Sequence, residues 1–192
     1  MLPQILILYL MNKFFFKSCL HFSLIIFSCC LFAQQTSTRI NTLSLKNLYE
    51  IDQGVYRSEQ PNKDGFQELQ SFGITEVLNL RFWHSDKDEA KGTDIILHRV
   101  KMNAHHIEDE DVIKALKIIK NRQGNILIHC KHGSDRTGVI CAMYRIIFQN
   151  WSKEDALDEL KNGGFGYHSI YKNIVRYIEK VDVEKIKLQI EF

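Results

Sequence analysis

The chain has 192 residues, of which 45% are hydrophobic, and its formal net charge at pH 7 is +2. This length and apolar fraction are sufficient for one domain with a sizeable core. Because the charges nearly balance and the sequence contains no long basic run, electrostatics give no argument for nucleic-acid binding. We therefore expect a single folded domain and no nucleic-acid partner.

A secretory signal peptide is predicted over residues 1–33. Lys13 and Lys17 precede a mostly apolar run at 19–32, and a polar stretch follows Ala33. A basic segment, an apolar segment and a small residue in this order are typical of a cleaved export signal. The residues before Met11 are also mostly apolar, so translation can start at either Met1 or Met11.

Two alternatives apply to the same N-terminal segment. Residues 26–29 read Ile-Phe-Ser-Cys and loosely resemble a bacterial lipoprotein cleavage box, with Cys29 as the lipidated residue. A transmembrane anchor is the other alternative, but lysines and polar interruptions weaken it as a single span. We expect an exported protein, periplasmic or secreted, or attached to the membrane if Cys29 is lipidated. Cleavage would leave Cys130 and Cys141 in the mature chain, and hence no disulfide framework.

The remaining sequence predicts one domain over residues 49–182, between a flexible lead-in at 34–48 and a C-terminal tail at 183–192. In its first half, apolar residues alternate between the spacing of strands and the spacing of helices. The predicted elements are a strand and turn at 54–58, a helix at 65–72 closed by Gly73, strands at 76–80 and 95–102, and an amphipathic helix at 109–122.

The segment at 126–138 reads ILIHCKHGSDRTG and is the most informative part of the chain. The β-branched run at 125–128 suits a buried strand, and from Val139 onwards apolar residues recur at helical spacing. A short loop therefore joins a strand to the start of a helix, with Cys130 at one end of the loop and Arg136 at the other.

Two further helices are predicted at 152–161 and 169–181. The glycine-rich segment at 163–168 joins them and predicts a turn with Phe165 packed inward; a substrate-facing role for the last two residues of that segment is the alternative. Strands alternating with helices predict an α/β fold, in which helices flank a central, mostly parallel sheet of four to five strands.

The loop has the chemistry of an anion site. Backbone N–H groups at 131–136 can form an anion-binding nest at the positive end of the following helix. Gly133 allows a turn that a side chain would obstruct, and Arg136 offers a planar fork for two phosphate oxygens. The same charges favour the Cys130 thiolate, a nucleophile, and Thr137 is placed to hydrogen-bond its sulfur.

Other charged residues can contribute to binding. Arg57 and Arg81 follow or end strands, where they either add charge to the site or form structural ion pairs. Lys131 and His132 are expected at the mouth of the pocket, where they would attract substrates with several phosphates. The predicted substrate-binding residues are Lys131, His132, Gly133, Ser134, Asp135 and Arg136.

These residues resemble the signature of the protein tyrosine phosphatase superfamily, which is His-Cys, five residues, then Arg and Ser or Thr. Here the signature reads His129, Cys130, Arg136 and Thr137. Residues 56–61, Tyr-Arg-Ser-Glu-Gln-Pro, are similar to an element of small bacterial and atypical dual-specificity phosphatases. The resemblance implies a dual-specificity phosphatase-like fold and hydrolysis through a phosphocysteine, without metal or cofactor.

The sequence departs from this family at the general acid. Dual-specificity enzymes carry an aspartate roughly thirty residues before the cysteine, where this chain has Asn103 followed by Ala-His-His. Asp135, beside Arg136, is the first candidate replacement, because its place in the loop gives it direct reach. The other candidates are Asp109, Asp111, His105 and His106.

Four functions are consistent with these features. The leading one is a phosphatase acting on phosphotyrosine, phosphoserine or phosphothreonine in proteins. The second keeps this mechanism but takes phosphoinositides or inositol phosphates, as Lys131, His132 and Asp135 suggest. A non-catalytic phosphate-binding module and a sulfurtransferase are the others. No cluster of His and Cys outside the motif predicts a metal site.

Overall fold

The computed structural model describes residues 36–191. The predicted signal peptide, the alternative start at Met11 and the lipidation candidate Cys29 lie outside these residues. Within 36–191, no helix combines the length and the apolar character needed to cross a bilayer.

A six-stranded sheet forms the centre of the domain, in the order β1-β2-β3-β6-β4-β5. The first three strands pair antiparallel, whereas β3, β6, β4 and β5 pair parallel. The sheet is therefore mostly parallel, as predicted, but it has six strands rather than four to five, because the two-residue β1 forms within the expected lead-in. The strands are β1 (Thr38–Arg39), β2 (Tyr49–Asp52), β3 (Val55–Ser58), β4 (Ile74–Arg81), β5 (Ile96–Met102) and β6 (Asn125–His129).

Residues 36–191 form six helices, and most follow the predicted spacing. Asn62 caps the first through its side chain, which accepts from the Gly65 N–H, and Ser152 caps the fourth by accepting from the Asp155 N–H. The helices are α1 (Lys63–Ser71), α2 (Asp109–Lys120), α3 (Arg136–Phe148), α4 (Lys153–Asn162), α5 (Lys172–Lys180) and α6 (Val183–Glu191).

The central strand β6 is buried on both faces. Ile126 and Ile128 belong to the larger apolar cluster, which includes residues of α2 and α3, whereas Leu127 belongs to a second cluster with residues of α1. Because alternate side chains of a strand point to opposite faces, helices must cover both sides of the sheet. This explains why residues 126–128 form an uninterrupted apolar run.

The ordered domain extends beyond residues 49–182 at both ends. Part of the expected lead-in, residues 36–48, contains β1, and it buries Leu45 and Leu48 in the second apolar cluster. Part of the expected tail forms α6, which buries Ile186 and Ile190. The lead-in is mostly polar and gave no clear pattern, whereas Val183, Ile186 and Ile190 of the tail do recur at helical spacing, a pattern that the prediction of a tail did not use.

Strand register places the loop after β6 between the carboxyl ends of its two neighbouring strands. His129 pairs with Ser58 of β3 on one side and with Asn79 of β4 on the other. Since all three strands run parallel, their carboxyl ends meet at this edge, where α/β proteins bind ligands. The segments that follow β3, β4 and β6 therefore surround Cys130.

Candidate active site

The phosphate loop, defined here as residues 130–136, joins β6 directly to α3. Cys130 lies at its floor and is only 1% exposed, and α3 begins at Arg136. The sequence prediction of strand, loop and helix is confirmed at this point. Gly133 has φ of 71°, which is a left-handed backbone conformation that glycine adopts at little cost.

We expect the Gly133→Ala variant to unfold more easily than the parent protein. A Cβ at this position would lie 2.7 Å from the Glu59 nitrogen and closer still to the Ser58 carbonyl, so the strain of positive φ adds to backbone overlap. We expect a loss of about 2 kcal/mol or more in the free energy of unfolding, measured by urea denaturation.

Gly92→Ala is the matched control for this substitution. Gly92 also has positive φ, but a Cβ there would meet only the Gln67 side chain, at 3.6 Å. We expect it to lose about 1 kcal/mol, the strain of positive φ alone. Equal losses in the two variants would show that the close approach to Ser58 does not constrain the loop.

The Cys130 thiol is poised to ionise. Burial on its own would raise its pKa, but the Thr137 hydroxyl and backbone N–H, the Arg136 charge and the His132 backbone N–H together lower the pKa below its ordinary value. The Thr137 hydroxyl is buried and has no other partner in the described part of the chain, which leaves it available to act on the Cys130 sulfur. By contrast, burial raises the pKa of Cys141, which lies in the core.

We expect Thr137→Val to raise the pKa of Cys130. Only the thiolate is alkylated, so a lowered pKa keeps Cys130 reactive at lower pH, and loss of the hydroxyl donor moves the profile to higher pH. The measurement is the rate of iodoacetamide labelling at Cys130 against pH, followed by mass spectrometry. Thr38→Val, at an exposed strand position, is the control; identical profiles in all three proteins would contradict the prediction.

Arg136 faces a pocket of 350 Å³. Its Nε is buried and has no hydrogen-bond partner among residues 36–191. A buried, charged donor without a partner is costly, and an anion in the pocket would satisfy it. The side chains on the pocket wall are mainly aromatic or polar and include Phe82, Trp83, Asn103, His105 and Tyr171.

Arg57 supports the phosphate loop from below rather than facing solvent. It is 1% exposed, donates from Nη2 to the Gly133 carbonyl at 2.7 Å, and stacks on the Phe165 ring at 3.7 Å from the ring centroid. Ser134 donates to the Phe165 carbonyl at 2.7 Å. Phe165 is itself buried, so the predicted inward packing of this residue is confirmed. Of the two roles considered for Arg57, these contacts favour the structural one.

Arg81 interacts electrostatically with both Arg136 and Cys130. Burial and the neighbouring charge of Arg136 lower the pKa of Arg81, while its electrostatic interactions with Asp86, Cys130 and Glu89 oppose that change. Its guanidinium donates to the Gln60 side chain. Arg81 therefore adds positive charge on the side of the site formed by β4.

Asp135 is turned toward the loop after α4. It is 5% exposed, and its carboxylate accepts from the backbone N–H of His168 at 3.0 Å and contacts the His168 ring nitrogen Nδ1 at 2.9 Å. These contacts occupy both carboxylate oxygens. They favour a role for Asp135 in holding the loop at 163–168 rather than in proton transfer, the role that the sequence placed first.

The other predicted acids separate into two groups. Asp109 lies in a different pocket, bound to the Tyr177 hydroxyl and to Lys185 Nζ, both at 3.0 Å, and His106 lines that same pocket. Burial raises the pKa of Asp111 on the same helix. Among the five candidates, His105 alone lines the pocket beside Arg136.

The remaining predicted binding residues differ in exposure. Lys131 and His132 are exposed, as expected for the pocket mouth, whereas Gly133 and Ser134 are buried and contribute backbone to the loop. Burial, His168 and Lys131 lower the pKa of His132. The His132 and His168 rings lie 5.3 Å apart. An imidazole of the 163–168 segment therefore lies next to the pocket mouth, as the alternative of a substrate-facing role for the end of this segment requires.

The sequence did not reveal the buried partner of His129. His129 is fully buried, and its Nε2 lies 2.9 Å from Oδ2 of Asp86, which is 4% exposed. This contact orients the residue that precedes the nucleophile. Asp86 follows β4 in a polar loop, and nothing in its local pattern distinguishes it from a solvated carboxylate.

A sequence model of the tyrosine phosphatase family matches residues 42–190. The chain belongs to the tyrosine phosphatase family. Its similarity therefore extends well beyond the signature loop, from the segment before β2 to the penultimate residue of α6. The sequence resemblance and the fold prediction are both confirmed.

Individual members of the family also resemble the chain. It is 34% identical over 146 residues to the dual specificity protein phosphatase TpbA of Pseudomonas aeruginosa, covering 74% of this chain and 66% of that protein. A crystal structure of a P. aeruginosa TpbA variant in complex with phosphotyrosine superimposes with a TM-score of 0.74 at 28% identity, covering 83% of this chain and 98% of that one.

A second group of relatives has a different named substrate. The inositol diphosphatase DSP5 of Arabidopsis thaliana is 29% identical over 157 residues, covering 73% of this chain and 72% of that protein. The proteins that resemble this chain are thus named for two different substrate classes.

Proposed function

We propose that this chain is a cysteine-dependent phosphatase that hydrolyses phosphomonoesters through a phosphocysteine intermediate. The observation that carries the proposal is the pairing of Cys130, whose pKa is lowered, with Arg136, whose buried Nε has no partner among the described residues. One group supplies the nucleophile and the other binds the phosphoryl oxygens.

In the first step the Cys130 thiolate attacks phosphorus, and the bond from phosphorus to the ester oxygen breaks. Arg136 and the N–H groups of the loop stabilise the charge on the equatorial phosphoryl oxygens. The leaving oxygen takes a proton from a general acid. In the second step water attacks phosphorus and gives a proton to the group that served as the acid, the sulfur leaves as thiolate, and inorganic phosphate is released.

We assign the general acid to His105. It lines the pocket with Arg136, whereas Asp109 and His106 line another pocket and Asp135 is bound by His168. Its backbone N–H donates to the Asn103 side chain at 3.0 Å, and its ring lies 5.0 Å from the Tyr171 ring, so the loop holds it at the pocket wall. Imidazole is suited to proton transfer near neutral pH.

We expect His105→Gln to slow the first step by about 10²-fold or more for substrates with basic leaving groups such as alkoxides. For aryl phosphates with acidic leaving groups, which need little protonation, the loss should be much smaller. The measurement is the pre-steady-state rate of leaving-group release for a series of substrates that differ in the basicity of the leaving group. His106→Gln, the neighbouring imidazole outside the pocket, is the control, and equal losses in both variants would reject the assignment.

Protein phosphotyrosine is the substrate class that we favour. The pocket wall carries Phe82, Trp83 and Tyr171, which offer rings for a phosphorylated aromatic side chain, and a similar protein is solved with phosphotyrosine. Inositol phosphates are the second candidate, because Lys131 and His132 are exposed at the loop and several relatives are named inositol diphosphatases. A phosphoinositide would meet the same two side chains.

The test is phosphate release from a panel of phosphopeptides, phosphoinositides and inositol phosphates, in the presence of reductant and chelator. Preferential turnover of phosphotyrosine peptides supports the favoured class, and preferential turnover of inositol phosphates establishes the second. If every substrate binds without turnover, the chain is a phosphate-binding module. Thiocyanate formation from thiosulfate would instead identify a sulfurtransferase.

We also propose that the protein is exported through the signal at residues 1–33, either to the periplasm or beyond it, or onto the membrane if Cys29 is lipidated. In this segment a basic stretch precedes an apolar stretch, and this order supports the proposal. N-terminal sequencing of the protein recovered from its source cells tests it. A new terminus near Ala33 indicates ordinary cleavage, a lipidated terminus at Cys29 indicates the anchor, and an uncleaved terminus contradicts the proposal.

A further inference from the structure

The loop that follows β4 brings one imidazole and two carboxylates together. Nε2 of His84 lies 3.1 Å from Oε1 of Glu89 and 3.9 Å from Oδ1 of Asp86. One ligand atom from each of the three lies within 4.8 Å of the others. One nitrogen and two oxygens form a donor set that suits a divalent transition-metal ion.

Two oxygens in this cluster have no hydrogen-bond partner. Oδ1 of Asp86 and Oε2 of Glu89 are both buried and unpartnered within residues 36–191. Asp86 is 4% exposed, and its other oxygen contacts His129. Buried carboxylate oxygens without donors are costly to maintain. A cation between them would compensate both at once.

A second cluster of similar composition lacks this property. His132, Asp135 and His168 also bring their ligand atoms within 4.8 Å. However, the Asp135 carboxylate already accepts from the His168 backbone N–H and contacts the His168 ring. Its oxygens already have partners in the protein, so this cluster contains no buried carboxylate oxygen that needs a cation, in contrast to Oδ1 of Asp86 and Oε2 of Glu89.

We propose that His84, Asp86 and Glu89 bind a divalent transition-metal ion of the Mn²⁺ or Zn²⁺ class. The His84 and Glu89 side chains are 29% and 26% exposed, so an ion can enter from solvent while Asp86 forms the buried wall. The imidazole disfavours Mg²⁺ and Ca²⁺, which prefer oxygen ligands. Binding at His84 Nε2 would replace its present contact with the Gln60 amide.

The site connects to the nucleophile through one carboxylate. Asp86 would bind the ion through Oδ1 and keep His129 in place through Oδ2, and His129 precedes Cys130. The ion would act as a structural clamp on the loop after β4, and no bond of the phosphoryl-transfer steps involves it. Arg81 interacts electrostatically with both carboxylates and partly offsets their charge, which moderates the affinity for a cation.

Binding of Mn²⁺ to the full chain, followed by electron paramagnetic resonance, tests the proposal. Mn²⁺ is the probe because thiolates have little preference for it, and Cys130→Ser in every sample removes the reactive thiolate. We expect one bound Mn²⁺ per chain, with a nitrogen coupling that is lost in His84→Gln. His84→Gln and Glu89→Gln should each weaken binding by about tenfold or more, and circular dichroism should show that both variants are folded.

His168→Gln is the matched control from the second cluster, and it should bind Mn²⁺ as tightly as the parent. The proposal is overturned if the parent binds no Mn²⁺, or if neither His84→Gln nor Glu89→Gln weakens binding. It is equally overturned if binding is lost in His168→Gln and retained in His84→Gln, because that result would place the ion beside Asp135.

Discussion

Cys130→Ser is expected to lower phosphate release by at least about 10⁴-fold on every substrate that the parent enzyme turns over. Serine keeps the size and position of the side chain, but its hydroxyl is far less acidic than a thiol, so the hydrogen bonds and charge that lower the pKa of Cys130 cannot produce an anionic nucleophile. The measurement is single-turnover phosphate release from the best substrate of the panel.

The same variant should still bind substrate. Arg136 and the backbone of the loop are unchanged, so we expect the dissociation constant to remain within about tenfold of that of the parent. Cys141→Ser, in the core and outside the loop, is the control that should retain turnover if it folds. Residual turnover of Cys130→Ser near the parent rate would mean that another group attacks phosphorus.

Arg136→Lys should lower turnover by about 10²- to 10³-fold although the positive charge is retained. Lysine is a point charge with no planar fork, so it cannot hold two equatorial phosphoryl oxygens at once. It also carries no group equivalent to the buried Nε that lacks a partner among the described residues. Rates with saturating substrate separate this loss from weaker binding.

Arg39→Lys, at an exposed position of β1, is the control for this substitution. It should leave both turnover and substrate affinity unchanged. If Arg136→Lys keeps nearly full activity, charge alone is sufficient and the bidentate geometry has no part in catalysis.

The sequence predicted the part of the site whose chemistry is local. Cys130, Gly133 and Arg136 lie within seven residues, between a strand and a helix with clear periodicity, so their arrangement follows from backbone geometry over a single loop. Burial on both faces of β6 also left a direct signal, because an uninterrupted apolar run is typical of a central parallel strand.

Contacts between distant segments left no such signal. Asp86 and His129 are 43 residues apart, and Asp135 and His168 are 33 apart, so neither pairing could be inferred from one sequence. For the same reason Asp135 was the first candidate for the general acid from its place beside Arg136, whereas the proposal of His105 rests on the pocket that the fold forms. The sequence likewise predicted no metal site, because no second ligand cluster was apparent in it; the proposed site of His84, Asp86 and Glu89 depends on how the loop after β4 folds.

The contacts beneath the phosphate loop bear on how the enzyme uses binding energy. Arg57, Asn47 and Ser134 hold the loop and the Phe165 segment together through hydrogen bonds that involve no substrate. A phosphate loop that is already held in place loses little conformational entropy when phosphate binds. Affinity for phosphate should consequently be set by electrostatics and be sensitive to ionic strength, and most of the discrimination between substrates should come from the aromatic and basic residues at the rim.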